Sequence, residues 1–173
     1  MNAFFNQYRG VIYASITSLF WGFLAIALKV ALKFMPAENI VWFRFLLAFL
    51  SLFFYYVFTS PQKLKILTKP PLLAIIAALG LSFNYYGFVT GLDLTSPNVS
   101  QVVIQMGPIL LGIIGFVVYK ERIGRMQMLG FAIALVGLSV FYMNEIEGML
   151  EEKAQLFNQG FFWIIAAALA WTI

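Results

Sequence analysis

The amino-acid sequence predicts an all-α, polytopic helical membrane protein with five complete transmembrane helices and a truncated sixth. Two observations carry this. The chain of 173 residues is 62% hydrophobic and only 10% charged, whereas soluble globular domains carry roughly 25% charged residues. Its apolar residues also gather into runs of the length, about 20 residues, that a helix needs to cross about 30 Å of hydrocarbon. Aromatic residues reach 18%, with 19 Phe among them, which suits side chains facing lipid tails and ring belts at the two membrane surfaces.

The first run covers Val11 to Leu28 behind Arg9 and extends to Phe34, with Lys29 and Lys33 expected to reach toward the headgroups. Its apolar stretch exceeds the core of a secretory signal, about 7–15 residues, and no small-x-small cleavage site follows, so it reads as a retained span. The second run, Asn39 to Phe58, is interrupted by Arg44. The third, Pro71 to Leu92, the fourth, Pro97 to Tyr119, and the fifth, Met126 to Met143, contain no charge. The last run begins at Gly160 and reaches Ile173 after 14 residues, too few to span at helical rise. The expected organisation is therefore a five-helix unit over 1–143, an acidic extracytoplasmic loop over 144–159, and the start of a second unit over 160–173.

Proline marks the borders. Pro36 follows the first run, Ser60-Pro61 and Pro70-Pro71 flank the next gap, and Ser96-Pro97 precedes the fourth run. Proline fits the first turn of a helix and breaks its interior. Lys and Arg favour cytoplasmic loops, and an amino terminus inside the cell places Arg9, Lys63, Lys65, Lys69, Lys120, Arg122 and Arg125 on the inner side. The outer side then holds Lys29, Lys33 and Lys153 with the acidic stretch Glu145, Glu147, Glu151 and Glu152. The net charge of +4 is thus a topology signal and not a nucleic-acid footprint, because the basic residues sit in short gaps between apolar runs.

The chain has no Cys and no His. That removes disulfides, thiol nucleophiles, histidine bases and the usual zinc sites, so no metal, no other cofactor and no catalytic residue is expected. Intramembrane hydrolases need a nucleophile with a base, or paired aspartates, and no such pair is visible.

Laying Gly10–Trp21 over Gly160–Trp171 pairs Gly with Gly, Leu19 with Leu169 and Trp21 with Trp171, which reads either as chance similarity between two apolar helices or as an internal repeat, and position adds weight to the repeat. The second copy begins after five crossings. An odd number of spans per copy forces the second to enter from the opposite side, the inverted pseudo-symmetry that supports alternating access.

At Leu19-Phe20-Trp21-Gly22 with Lys29 behind it, and at Arg44 within Trp42-Phe43-Arg44-Phe45, the chain resembles the EamA-type branch of the drug/metabolite transporter superfamily. The likeness continues from Asn84 through Gly91-Leu-Asp-Leu-Thr-Ser-Pro-Asn-Val-Ser100, to Pro108, Lys120-Glu121-Arg122-Ile-Gly124, and Gly130 to Gly137. The resemblance covers nearly the whole chain. It implies the first half of a ten-span, 5+5 inverted-repeat transporter, an exporter or permease of a small metabolite working by alternating access in a bacterial inner membrane. Its partners would be the lipid bilayer, a small-molecule substrate, and either another copy or the missing C-terminal half. The alternative is a non-transporting membrane subunit, or a fragment without transport activity of its own.

Substrate contacts are expected near the bilayer midplane, where polar groups are tolerated only in cavities or protein interiors. Asn84 and Tyr85 sit in the middle of the third run, and Gln101 and Gln105 lie four apart on one face of the fourth. These amides either touch substrate or bond neighbouring helices. Pro108 removes a backbone donor and is expected to kink its helix. Trp21 is read either as a cavity wall or as packing beside Gly22. Arg44 is read as snorkelling outward, pairing with Glu38, or attracting an anion. Glu121 is expected to form a local ion pair with Lys120, Arg122 or Arg125 that holds the inner turn. Gly87 and Gly91 form a small-x-x-x-small pair for close helix packing. No Asp or Glu lies deep in a span, so a proton-coupling carboxylate is not visible, and the small multidrug pumps, which carry a glutamate in their first helix, are not matched.

Overall fold

A backbone surrounded by hydrocarbon must bond to itself, and the helix does this within one segment. The computed structural model accordingly folds the apolar runs as α-helices; the structure describes residues 2–172, with side chains from Tyr8 onward. They are α1 (Asn2–Ala31), α2 (Ala37–Thr59), a short 3-10 helix (Pro61–Leu67), α3 (Leu72–Leu94), α4 (Pro97–Val103), α5 (Met106–Val117), α6 (Arg125–Ile146) and α7 (Glu151–Trp171). No strand occurs among the described residues. Five stretches are long and apolar enough to cross a membrane: Tyr8–Ala31, Ala37–Thr59, Leu72–Leu94, Pro97–Val117 and Arg125–Ile146. The protein is a polytopic helical membrane protein.

The predicted borders appear with their chemistry. Pro36 and Pro71 precede α2 and α3 in extended backbone. Ser96 caps α4 by accepting a hydrogen bond from the Val99 N–H at 3.2 Å, with Pro97 at the first helical position. The fourth run is two helices meeting at Ile104-Gln105. There the Gln105 N–H bonds the Val102 carbonyl at 3.2 Å and the Gly107 N–H bonds the Ile104 carbonyl at 2.9 Å. In a regular helix the residue at 108 would donate to the Ile104 carbonyl. Pro108 has no N–H to give, so the chain tightens one residue earlier and the α-helical ladder is interrupted.

Three expectations need correction. The segment 144–159 is not a loop: only 147–150 form a short turn, containing Gly148 at φ +77°, while 144–146 end α6 and 151–159 are the first turns of α7. Glu151 and Glu152 occupy the first turn of α7, where negative charge complements the helix dipole, and an apolar-run reading passes over such a polar start. Lys29 does not reach for headgroups: its ammonium donates to the carbonyls of Leu92 at 2.8 Å, Asp93 at 2.7 Å and Thr95 at 2.9 Å. These belong to the last turn of α3, whose carbonyls lack helical partners and attract cations. Among the described residues Glu121 makes no ion pair. Its N–H bonds the Gly115 carbonyl at 3.1 Å, and its carboxylate lies where a side chain on Gly115 would be. The preceding Lys120, at φ +55°, turns the chain back over the end of α5.

Burial is concentrated at the end of the bundle that holds the α1–α2 and α3–α4 turns. One cluster joins Leu28, Ala37, Ile40, Val41, Val89 and Leu92; another joins Val99, Val103, Phe157 and Ile164. Ser100, fully buried, shares a 3.1 Å hydrogen bond with the Thr95 hydroxyl. The main helix pair is α3 with α7. A Cβ on Gly160 would stand 2.9 Å from the Gly91 carbonyl oxygen and 2.8 Å from the Leu94 Cβ, so glycine lets the two backbones approach closely. By contrast α6 has no buried residue.

Candidate functional site

Below the packed end lies a cavity of about 290 Å³. Helical periodicity explains how its wall is built. On α3, Leu81, Asn84, Tyr85 and Phe88 recur at one-face spacing and line it, while Gly87 and Gly91 share another face and meet α7. Trp21 and Leu24 of α1 lie one turn apart on the wall, as do Ala168 and Trp171 of α7. The break between α4 and α5 contributes Gln101, Ile104, Gln105, Gly107 and Pro108. α2 contributes Arg44.

The polar groups are unequally engaged. Asn84 donates through Nδ2 to the Ala167 carbonyl at 2.7 Å, tying α3 to α7. Gln101 donates through Nε2 to the Trp21 carbonyl at 3.1 Å, tying α4 to α1. Both therefore act as inter-helix ties while also facing the cavity. The Gln105 amide bonds no other described residue. The Arg44 guanidinium lies 4.8 Å from the centroid of the Tyr85 ring, which in turn meets Phe45 edge-on at 5.3 Å. The Arg44 Nη1 is buried and has no hydrogen-bond partner, and among the described residues Arg44 makes no ion pair with Glu38. It is the only charged residue in the cavity lining.

The structure thus brings Trp21, Arg44, Asn84, Tyr85, Gln101, Gln105 and Pro108 around one cavity. Gly87 and Gly91 serve the α3–α7 contact, and Glu121 lies at the far end of α5. Trp171 went unnoticed as a cavity residue in the sequence, although the repeat already paired it with Trp21. Its ring packs on Gly107, where a Cβ would come within 3.3 Å. Lys29 was also missed as a helix-end cap, since nothing in local spacing ties it to residues more than sixty positions away.

Residues 8–143, most of the chain, match the EamA-like transporter family. The chain belongs to that family. EamA proteins similar to it include one from Haemophilus influenzae described as an uncharacterized transporter, 30% identical over 94% of this chain and 53% of its own length. The inner membrane transporter YhbE of Escherichia coli K12, likewise described as uncharacterized, is 29% identical over 94% of this chain and 51% of its own. A Salmonella typhimurium protein described as a probable amino-acid metabolite efflux pump is 28% identical over 91% and 49%. The chain spans about half the length of these EamA relatives. No solved structure matches it significantly.

Proposed function

We propose that this EamA chain lines a solute pathway across a bacterial inner membrane, and that the cavity is where a small amphipathic metabolite rests between the two sides. The observation that carries the reading is the meeting of Trp21 and Trp171, the paired residues of the two repeat copies, on one cavity wall. In an inverted-repeat carrier the site lies at the interface of the copies, and tryptophan supplies both a stacking face and an N–H donor. Residues 1–143 form the first copy and α7 opens the second. With the amino terminus in the cytoplasm, the packed end closes the cavity toward the outside, and alternating access consists of opening that end while closing the other. The relative described as a probable amino-acid metabolite efflux pump supports a cargo of amino-acid size moving outward.

Flux of radiolabelled amino acids and small organic acids in membrane vesicles from cells expressing the protein tests this. Saturable flux above that of control vesicles, reduced at least tenfold by Trp21→Ala, is expected. Flux equal to controls across the panel would favour instead a membrane subunit that moves no solute by itself.

A further inference from the structure

Among the described residues the cavity lining has one positive charge and no acidic group to balance it. Among the described residues Arg44 is the sole charged group on that lining, its Nη1 is buried without a described partner, and a charge held within a membrane protein without a counter-ion is costly. The Tyr85 ring, 4.8 Å away, offsets part of that cost through its π face, yet a ring accepts none of the guanidinium's in-plane donor bonds. Other basic groups do not compete for an anion here, because the nearest along α1, Lys29, has all three of its donors on main-chain carbonyls. The amides of Asn84 and Gln101 donate to carbonyls as well. Among the described residues, the donors left uncommitted on the wall are the Arg44 guanidinium, the Gln105 side-chain amide, the Tyr85 hydroxyl and the indole N–H groups of Trp21 and Trp171, and of these Arg44 alone carries a charge.

We infer that the cavity takes a small organic monocarboxylate, its anionic head on Arg44 and its apolar body between Trp21 and Trp171. This rests on the reading of the cavity as the solute's resting place. The guanidinium fork matches the two oxygens of a carboxylate. One cation with no acidic neighbour is neutralised by one negative charge, so a dianion leaves an excess of charge and a cation meets repulsion. A volume of about 290 Å³ lies at the lower end for ligand pockets, which restricts the body to something of the bulk of a single ring or a branched chain. The indoles and Phe88 give that body an apolar bed.

The experiment compares 3-phenylpropionate with 3-phenylpropionamide, alike in shape and different in charge. Binding to the whole chain is measured calorimetrically at neutral pH in maltoside micelles, which carry no phosphate to occupy Arg44. The acid is expected to bind about tenfold or more tightly than the amide, the scale of one charge-assisted hydrogen-bonded pair. Arg44→Gln should bring the acid down to the affinity of the amide while leaving the amide within about twofold, and Arg44→Lys should restore part of the preference. Equal binding of acid and amide by the unaltered chain, a comparison that needs no variant to fold, would overturn the carboxylate inference and leave the cavity reading intact. An acid preference that survives in a folded Arg44→Gln protein would overturn the role of Arg44. If neither compound binds, and neutral and cationic amphiphiles of the same size also fail, the solute pathway itself falls and the inference with it.

Discussion

At the residue scale, two groups in this protein do opposite things with their hydrogen-bonding capacity. Lys29 spends all of it on the end of α3, so Lys29→Met should destabilise the protein by about 1–2 kcal/mol, read by denaturant unfolding in micelles, whereas Lys33→Met, in the turn after α1, should be near neutral. The Gln105 side-chain amide bonds no other described residue. Gln105→Ala should therefore leave the unfolding midpoint unchanged and weaken solute flux, while Asn84→Ala, which breaks the bond to the Ala167 carbonyl, should cost about 0.6–2 kcal/mol in stability as well. Polar residues in mid-span were legible in the sequence, since apolar surroundings make every amide conspicuous. Their partners were not, because spacing along a helix gives the face on which Asn84 or Gln101 stands and says nothing of the helix opposite. Arg44 shows the same limit: a neighbour in sequence, Glu38, was the natural partner, and the neighbour in space is Tyr85.

At the element scale, the five spans that α1 to α6 build were readable from hydropathy, and proline marked the starts of α2, α3 and α4, while the start of α1 at Asn2 lies ahead of the apolar run expected from Val11. The kink at Pro108 was readable too, though its position at Ile104-Gln105 follows from the lost donor and not from the proline's own place. The start of α7 was missed by about two and a half turns, since Glu151 to Gln159 are too polar to register as membrane helix. The contact between α7 and α3 depends on glycine at 91 and 160. Gly160→Val places branched carbons against Leu94, Thr95 and the Gly91 carbonyl, and overpacking of this kind costs about 1–3 kcal/mol. The expected result is loss of an engineered cysteine cross-link between the two helices, together with a lower unfolding midpoint. A Gly130→Val change on α6, where no atom lies within 4 Å of a Cβ, serves as the control and should leave both unchanged.

At the scale of the whole molecule, the proposed threading with the amino terminus inside makes a prediction at the basic gaps between spans. Cysteines placed at Lys65 and Arg122 should react with a membrane-impermeant maleimide only after the cells are opened, and one at Lys153 should react in intact cells. Reaction at Lys65 from outside would invert the orientation and, with it, the side on which the cavity is closed. The ties that hold the bundle around the cavity share a further property. Asn84, Gln101 and Lys29 all grip main-chain oxygens, and every amino acid brings the same oxygen to positions 167, 21 and 92. A change of side chain at those three positions does not by itself release the grip, so a search for compensating pairs, by genetic suppression or by correlated substitution, should find no echo of these contacts even where packing or the cavity constrains the side chain.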